Sequence, residues 1–143
     1  MGDLKFFWDS VQADTHAKYL IYMAITLNIL LWVCESWALT KASLKKMEVF
    51  HMRFLRKISM IKWCDVMEHK FTNISICKYF NNIRTIESQI AQRRLTFLGK
   101  ISRLPSLKIP SRLIPAFFFI KIHLGRPNYT IRHSLLNDIK KNS

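Results

Sequence analysis

Apolar residues recur along this chain at helical spacing, and no stretch alternates like a strand over any useful length. Leu44, Met47, Phe50, Phe54, Leu55 and Ile58 follow the three-and-four rhythm of one helical face, while Lys45, Lys46, Arg53, Arg56 and Lys57 occupy the others. The pattern predicts an amphipathic helix starting near Ala42, with Thr40 or Ser43 as its cap. A longer helix is expected from about Thr85 to Leu104. Ile86, Ile90, Phe97, Ile101 and Leu104 form its apolar side, and Gln92, Arg93, Arg94 and Lys100 fall elsewhere. Pro105 ends it, because proline has no backbone N–H for the next bond. From Asp65 to Asn82 two short helical turns are expected, split near Thr72 and Asn73, which favour capping over continuation.

Tyr19 to Cys34 carries no formal charge. A membrane span needs about 20 apolar residues, so this shorter run reads as a buried helix, capped by Asp14 or Thr15 and reaching about Val33. Ser36 to Thr40 reads as a turn. Residues 1–12 are expected to be a frayed lead-in, although Phe6, Phe7 and Trp8 are able to pack back on the body. Pro105, Pro110 and Pro115 punctuate what reads as a loop-rich stretch, Gly125-Arg126-Pro127 makes a turn, and Thr130 to Lys141 forms a last short helix. The fold class that follows is all-α, a small bundle of about four to five helices. Its expected organisation is the lead-in over 1–12, a helical domain over 13–104, and a basic loop with a short C-terminal helix over 105–143.

Charge changes the picture. The formal net charge is +14 over 143 residues. Residues 1–50 carry five basic and five acidic side chains, whereas residues 51–143 carry eighteen and four, so the excess is confined to the later part. A polyanionic partner, nucleic acid first among them, is the natural reading. Half the residues are apolar, enough for a sizeable core. Three cysteines without a Cys-x-x-Cys pair argue against a disulfide scaffold. The N-terminus lacks the basic-then-apolar signature of a secretory signal. An intracellular location, nuclear or cytoplasmic rather than secreted, is the expectation.

Catalytic chemistry finds little support. Two-metal nucleotidyl transfer and metal-dependent nuclease action both need clustered carboxylates, and none of the nine acidic residues adjoins another. Glu48 and His51 lie three apart on one helix and read as a surface or edge pair. Cys64, His69 and Cys77, with His51 upstream, do not match the closely paired ligands of structural zinc sites. With glycine only at 2, 99 and 125, no phosphate-cradling loop exists. No cofactor and no enzymatic activity are expected of this chain alone. Trp37 and Trp63 read as core anchors rather than base-stacking platforms.

Binding chemistry remains. Arg53, Arg56 and Lys57, followed by Lys62, form one basic cluster, and Arg93, Arg94, Lys100 and Arg103 form a second. Guanidinium groups pair phosphate oxygens through two parallel bonds, which positions a duplex without reading its sequence.

The order of several short segments adds to this. Ile21-Tyr22, then Cys34-Glu35-Ser36-Trp37, then Phe50-His51-Met52-Arg53 with Leu55-Arg56, then Arg93-Arg94-Leu95-Thr96-Phe97-Leu98-Gly99-Lys100 with Arg103 follow one another. This resembles the region downstream of the polymerase palm in reverse transcriptases of non-LTR retrotransposons. There the pattern runs Ile-Tyr, Tyr-Gly-x-Glu-x-Trp, Phe-His-x-Arg-x-Leu-Arg, then Arg-Arg-Leu-x-Trp-Leu-Gly-His and a further Arg. The similarity covers roughly residues 14–140. Gly125-Arg126-Pro127 resembles a Gly-Arg-Pro turn of the same elements, which adds Arg126 to the candidate backbone-binding set. The departures are Trp32 for the family's Tyr, Val33 for its Gly, Lys100 for its His, and Leu104 for its Met. A missing Gly where a backbone needs positive φ signals strain.

The resemblance implies the thumb and post-thumb segment of an RNA-directed DNA polymerase, separated from its palm. Its expected partners are the RNA or DNA template–primer backbone and the missing palm, where the parent enzyme's Mg²⁺ would belong. Two alternatives stand beside it. One is a decayed retroelement remnant without selected function. The other is a basic membrane-associated protein using Tyr19 to Cys34, which the length of that run disfavours.

Overall fold

In a computed structural model the described residues are 5–10, 12–68, 72–119, 125 and 130–142. Among them the chain is all-α, with no strand. It forms two compact units, Met1–Trp32 with Lys45–Ile86, and Val33–Leu44 with Glu87–Ser143. Two of the boundaries between these units fall within long helices, Lys41–Ile58 and Ile86–Ser102, since the segment Val33–Leu44 groups with the C-terminal part.

In the first unit, α1 (Lys5–Asp9) occupies the region expected to fray. Trp8 is buried and meets Phe54 edge-on at 5.0 Å between ring centroids. The ammonium of Lys18, on α2 (Thr15–Ile21), is buried and donates to the carbonyls of Trp8, at 3.2 Å, and Ser10. The buried charge is thus spent on tying α1 down. Helical structure continues from α2 through a π-helical section, Tyr22–Leu27, into a short α3 (Asn28–Leu30). The wider π turn puts Tyr22, Thr26 and Leu27 inside and leaves Ile25 and Ile29 exposed.

The run ends short of the expected helix. Leu31 leaves the helical region and Val33 sits in the left-handed region at φ 59°. This is the position where the resembled pattern has Gly. A β-branched residue there is strained by about 1–3 kcal/mol. We expect Val33→Gly to raise stability by about 1 kcal/mol, because half the Val33 surface is already exposed and little burial is lost. An unchanged or lowered urea midpoint would contradict this.

The amphipathic helix α4 (Lys41–Ile58) forms as expected, with the Thr40 hydroxyl accepting from the Ser43 N–H at 3.2 Å. It closes in a Schellman motif, in which the Ile61 N–H bonds the Arg56 carbonyl at 3.1 Å and Met60 takes φ 55°. His51, Met52, Leu55 and Ile58 are its buried residues, while Phe50, placed on the apolar face from sequence, is exposed. The two short helices are α5 (Trp63–Glu68) and α6 (Asn73–Tyr79), the second capped by Thr72.

The second unit starts with a 3₁₀ turn, Cys34–Ser36, and the first turn of α4. It continues through α7 (Ile86–Ser102, from Glu87 on), α8 (Ile109–Phe119) and α9 (Ile131–Asn142). Helix α8 corrects the expected proline-rich loop. Pro110 falls in its first turn, where the N–H has no intrahelical partner anyway. Pro115 lies inside the helix, so one bond there is missing.

Candidate nucleic-acid interface

Side chains on α4 recur every 100° around its axis. On that wheel Lys45, Lys46, Arg53, Arg56 and Lys57 share an arc of roughly 120°, and Lys45 to Lys57 extends about 18 Å along the axis. Lys45, Lys46, Arg53 and Lys57 are exposed, interleaved with exposed Val49 and Phe50. The lone acidic residue of the helix, Glu48, points elsewhere, since its carboxylate accepts the backbone N–H of Ile86 at 2.8 Å. The result is a cationic strip without an acidic residue of its own helix.

The remaining members of the first cluster differ in availability. Lys57 pairs with Asp9 at 2.9 Å, both about half exposed, an interaction weak enough to exchange for a phosphate. Arg56 is half-buried and donates to the Asn73 side-chain oxygen, so part of its guanidinium braces α6. Lys62 is exposed, and its backbone N–H donates to the Asp65 carboxylate at 2.8 Å. Lys45 and Lys46 were absent from the candidate set. Their eight- and seven-residue spacing to Arg53 was the signal that places them on the same strip.

In the second cluster Arg94 departs from the expected surface position. Arg94 is buried at 6 % exposure, with one terminal nitrogen on Asp138 at 3.1 Å and the other on the Trp37 carbonyl. It is therefore a core brace and not a phosphate ligand, because both terminal nitrogens are engaged and the group is desolvated. Arg93 is half-buried and engaged within the fold. Lys100 and Arg103 are exposed. The Arg103 Nε donates to the Gly99 carbonyl at 2.8 Å, and its Nη2 would lie 3.4 Å from a Cβ at Gly99, so the guanidinium lies across that glycine. Arg126 lies outside the described residues.

Other motif residues meet inside each unit. The Tyr22 hydroxyl and His51 Nδ1 are 2.6 Å apart, and Tyr22 stacks on Phe54 at 4.7 Å. Glu48 and His51 are thus not a surface pair. His51 is fully buried, and burial pushes its pKa down to about 4. Burial also raises the Tyr22 pKa, with Glu48 adding to the shift. His51 Nε2 has no partner among the described residues. Trp37 is half-buried, with its carbonyl held by Arg94. Cys34 is buried, Cys77 half-buried and Cys64 exposed. His69 and the side chain of Trp63 lie outside the described residues.

Among the described residues no helix is long and apolar enough to cross a membrane, and no three His, Cys, Asp or Glu side chains group as metal ligands would. No protein-family model, curated protein or solved structure matches the chain.

Proposed function

We propose that this chain is the thumb and post-thumb portion of a non-LTR retrotransposon reverse transcriptase, and that it grips the template–primer backbone without catalysing a reaction. The observation that carries the binding half of this reading is the exposed strip of Lys45, Lys46, Arg53 and Lys57 on α4. Its length of about 18 Å covers roughly five phosphates at 3.4 Å of axis per residue on one strand. Cations so spaced bind a backbone and release its counterions. Phe50 supplies an apolar surface beside the cations for a sugar or a base face.

The family half rests on the resemblance, supported by the way its residues pair. Tyr22 with His51 and Trp37 with Arg94 come from four separate motif segments and meet in the two cores. Such pairs explain why residues of those types belong in that order. RNA or DNA duplexes of about 16–20 base pairs, labelled and titrated with the protein, test the reading. Affinity should fall by at least about tenfold between 50 and 200 mM salt. Binding that ignores salt, or no binding at the lower salt, would overturn it.

A further inference from the structure

The second unit holds a cavity of about 540 Å³ whose walls come from three helices. This volume lies within the range of about 300–1,000 Å³ common to small-ligand sites. Helix α9 presents Ser134, Asn137 and Lys140, three residues apart and so on one face. The start of α4 presents Lys41 and Leu44, with Leu39 just before it. Helix α7 contributes Glu87, Ile90 and Arg94.

The lining is divided by chemistry. Lys41 and Lys140 are exposed cations that form no ion pair with a described residue. Ser134 and Asn137 add a hydroxyl and an amide, which can both donate and accept. Leu39, Leu44 and Ile90 form an apolar part. The Arg94–Asp138 ion pair, 3.1 Å across, closes one wall. A second cavity of this unit, about 530 Å³ and lined mainly by residues such as Phe97, Leu98, Ile101 and Leu135, lacks such a division.

We infer that the mixed cavity binds a phosphomonoester with a flat or apolar body, of the size of a mononucleotide. The phosphate would lie between Lys41 and Lys140, where two point charges meet a dianion. The body would pack on Leu39, Leu44 and Ile90, with its polar edge on Ser134 and Asn137. This site uses none of the α4 strip residues, so it stands independently of the proposed duplex grip.

Calorimetric titration of the whole chain with AMP, adenosine and inorganic phosphate tests it. AMP should bind with a dissociation constant below about 1 mM, and adenosine at least about tenfold more weakly for want of the phosphate. Lys41→Glu with Lys140→Glu should weaken AMP by at least about tenfold. Lys46→Glu with Arg53→Glu should leave it unchanged. Both pairs are exposed lysines or arginines, so folding is preserved, and a circular dichroism melt of each variant verifies it. No AMP binding at millimolar concentration, equal binding of adenosine, or survival of AMP binding in the Lys41/Lys140 variant would each overturn the assignment. Loss of duplex binding with AMP binding retained would remove only the proposed grip.

Discussion

Replacing Arg94 with alanine is expected to destabilise the chain by about 3–5 kcal/mol, the usual penalty for leaving a buried charge without its partner. Asp138, itself buried, would lose the guanidinium 3.1 Å away, and the Trp37 carbonyl would lose its donor at the same time. Against typical domain stabilities of about 5–15 kcal/mol, this is enough to unfold much of the second unit. Arg94→Lys should rescue little, because an ammonium cannot span a carboxylate and a carbonyl as a planar fork does. Arg94→Met combined with Asp138→Leu should be far closer to wild type than either single change, since no charge is then stranded. Urea denaturation followed by circular dichroism measures all of these. An Arg94→Ala variant within about 0.5 kcal/mol of wild type would show that Arg94 does not brace the core.

Acid should weaken the first unit well before carboxylates dominate. His51 in the folded chain titrates near 4, below its ordinary 6.5, because burial disfavours the imidazolium. Above pH 6.5 the ring is neutral in both states and its contribution is fully present. As pH falls from 6.5 towards 4 the unfolded chain gains a proton that the folded chain refuses, so stability declines. The full loss approaches roughly 3 kcal/mol. Stability measured by urea titration at several pH values between 7 and 5 should slope accordingly. His51→Gln should be less stable at neutral pH, since Tyr22 loses its partner, and should show a flatter slope over that interval. An identical slope in the variant would assign the acid sensitivity to other groups.

Much of the fold was legible because helices announce themselves by period. The amphipathic pattern of α4, the Thr40 and Thr72 caps and the stop before Pro105 are local features, and local physics decides them. The strain at Val33 was legible too, as a missing glycine where the turn takes φ 59°. Helix α8 was hidden because proline in a first turn is silent, and because an interior proline reads as a breaker even when tertiary contacts override it. The π-helical section was hidden for another reason: nothing in an uncharged run marks where one extra residue enters a turn.

The candidate site was legible in part. Charge and spacing put Arg53 and Lys57 on one face of α4, and both are exposed there. They did not reveal that Arg94 is buried, since its partners Trp37 and Asp138 lie 57 and 44 residues away. His51 was misplaced for the same reason, its partner Tyr22 being 29 residues distant. Helical period assigns a residue to a face. It does not say which arginine finds a carboxylate there.

The strip on α4 is the centre of the functional account, and the salt dependence of duplex affinity tests it most directly. The logarithm of affinity against the logarithm of salt concentration should have a slope that falls by about 0.9 for each phosphate contact removed. Lys46→Gln with Arg53→Gln should therefore flatten the wild-type slope by about 2 and weaken binding alike on unrelated sequences. The same slope and affinity in the double variant would contradict the account, and would place any binding elsewhere on the chain.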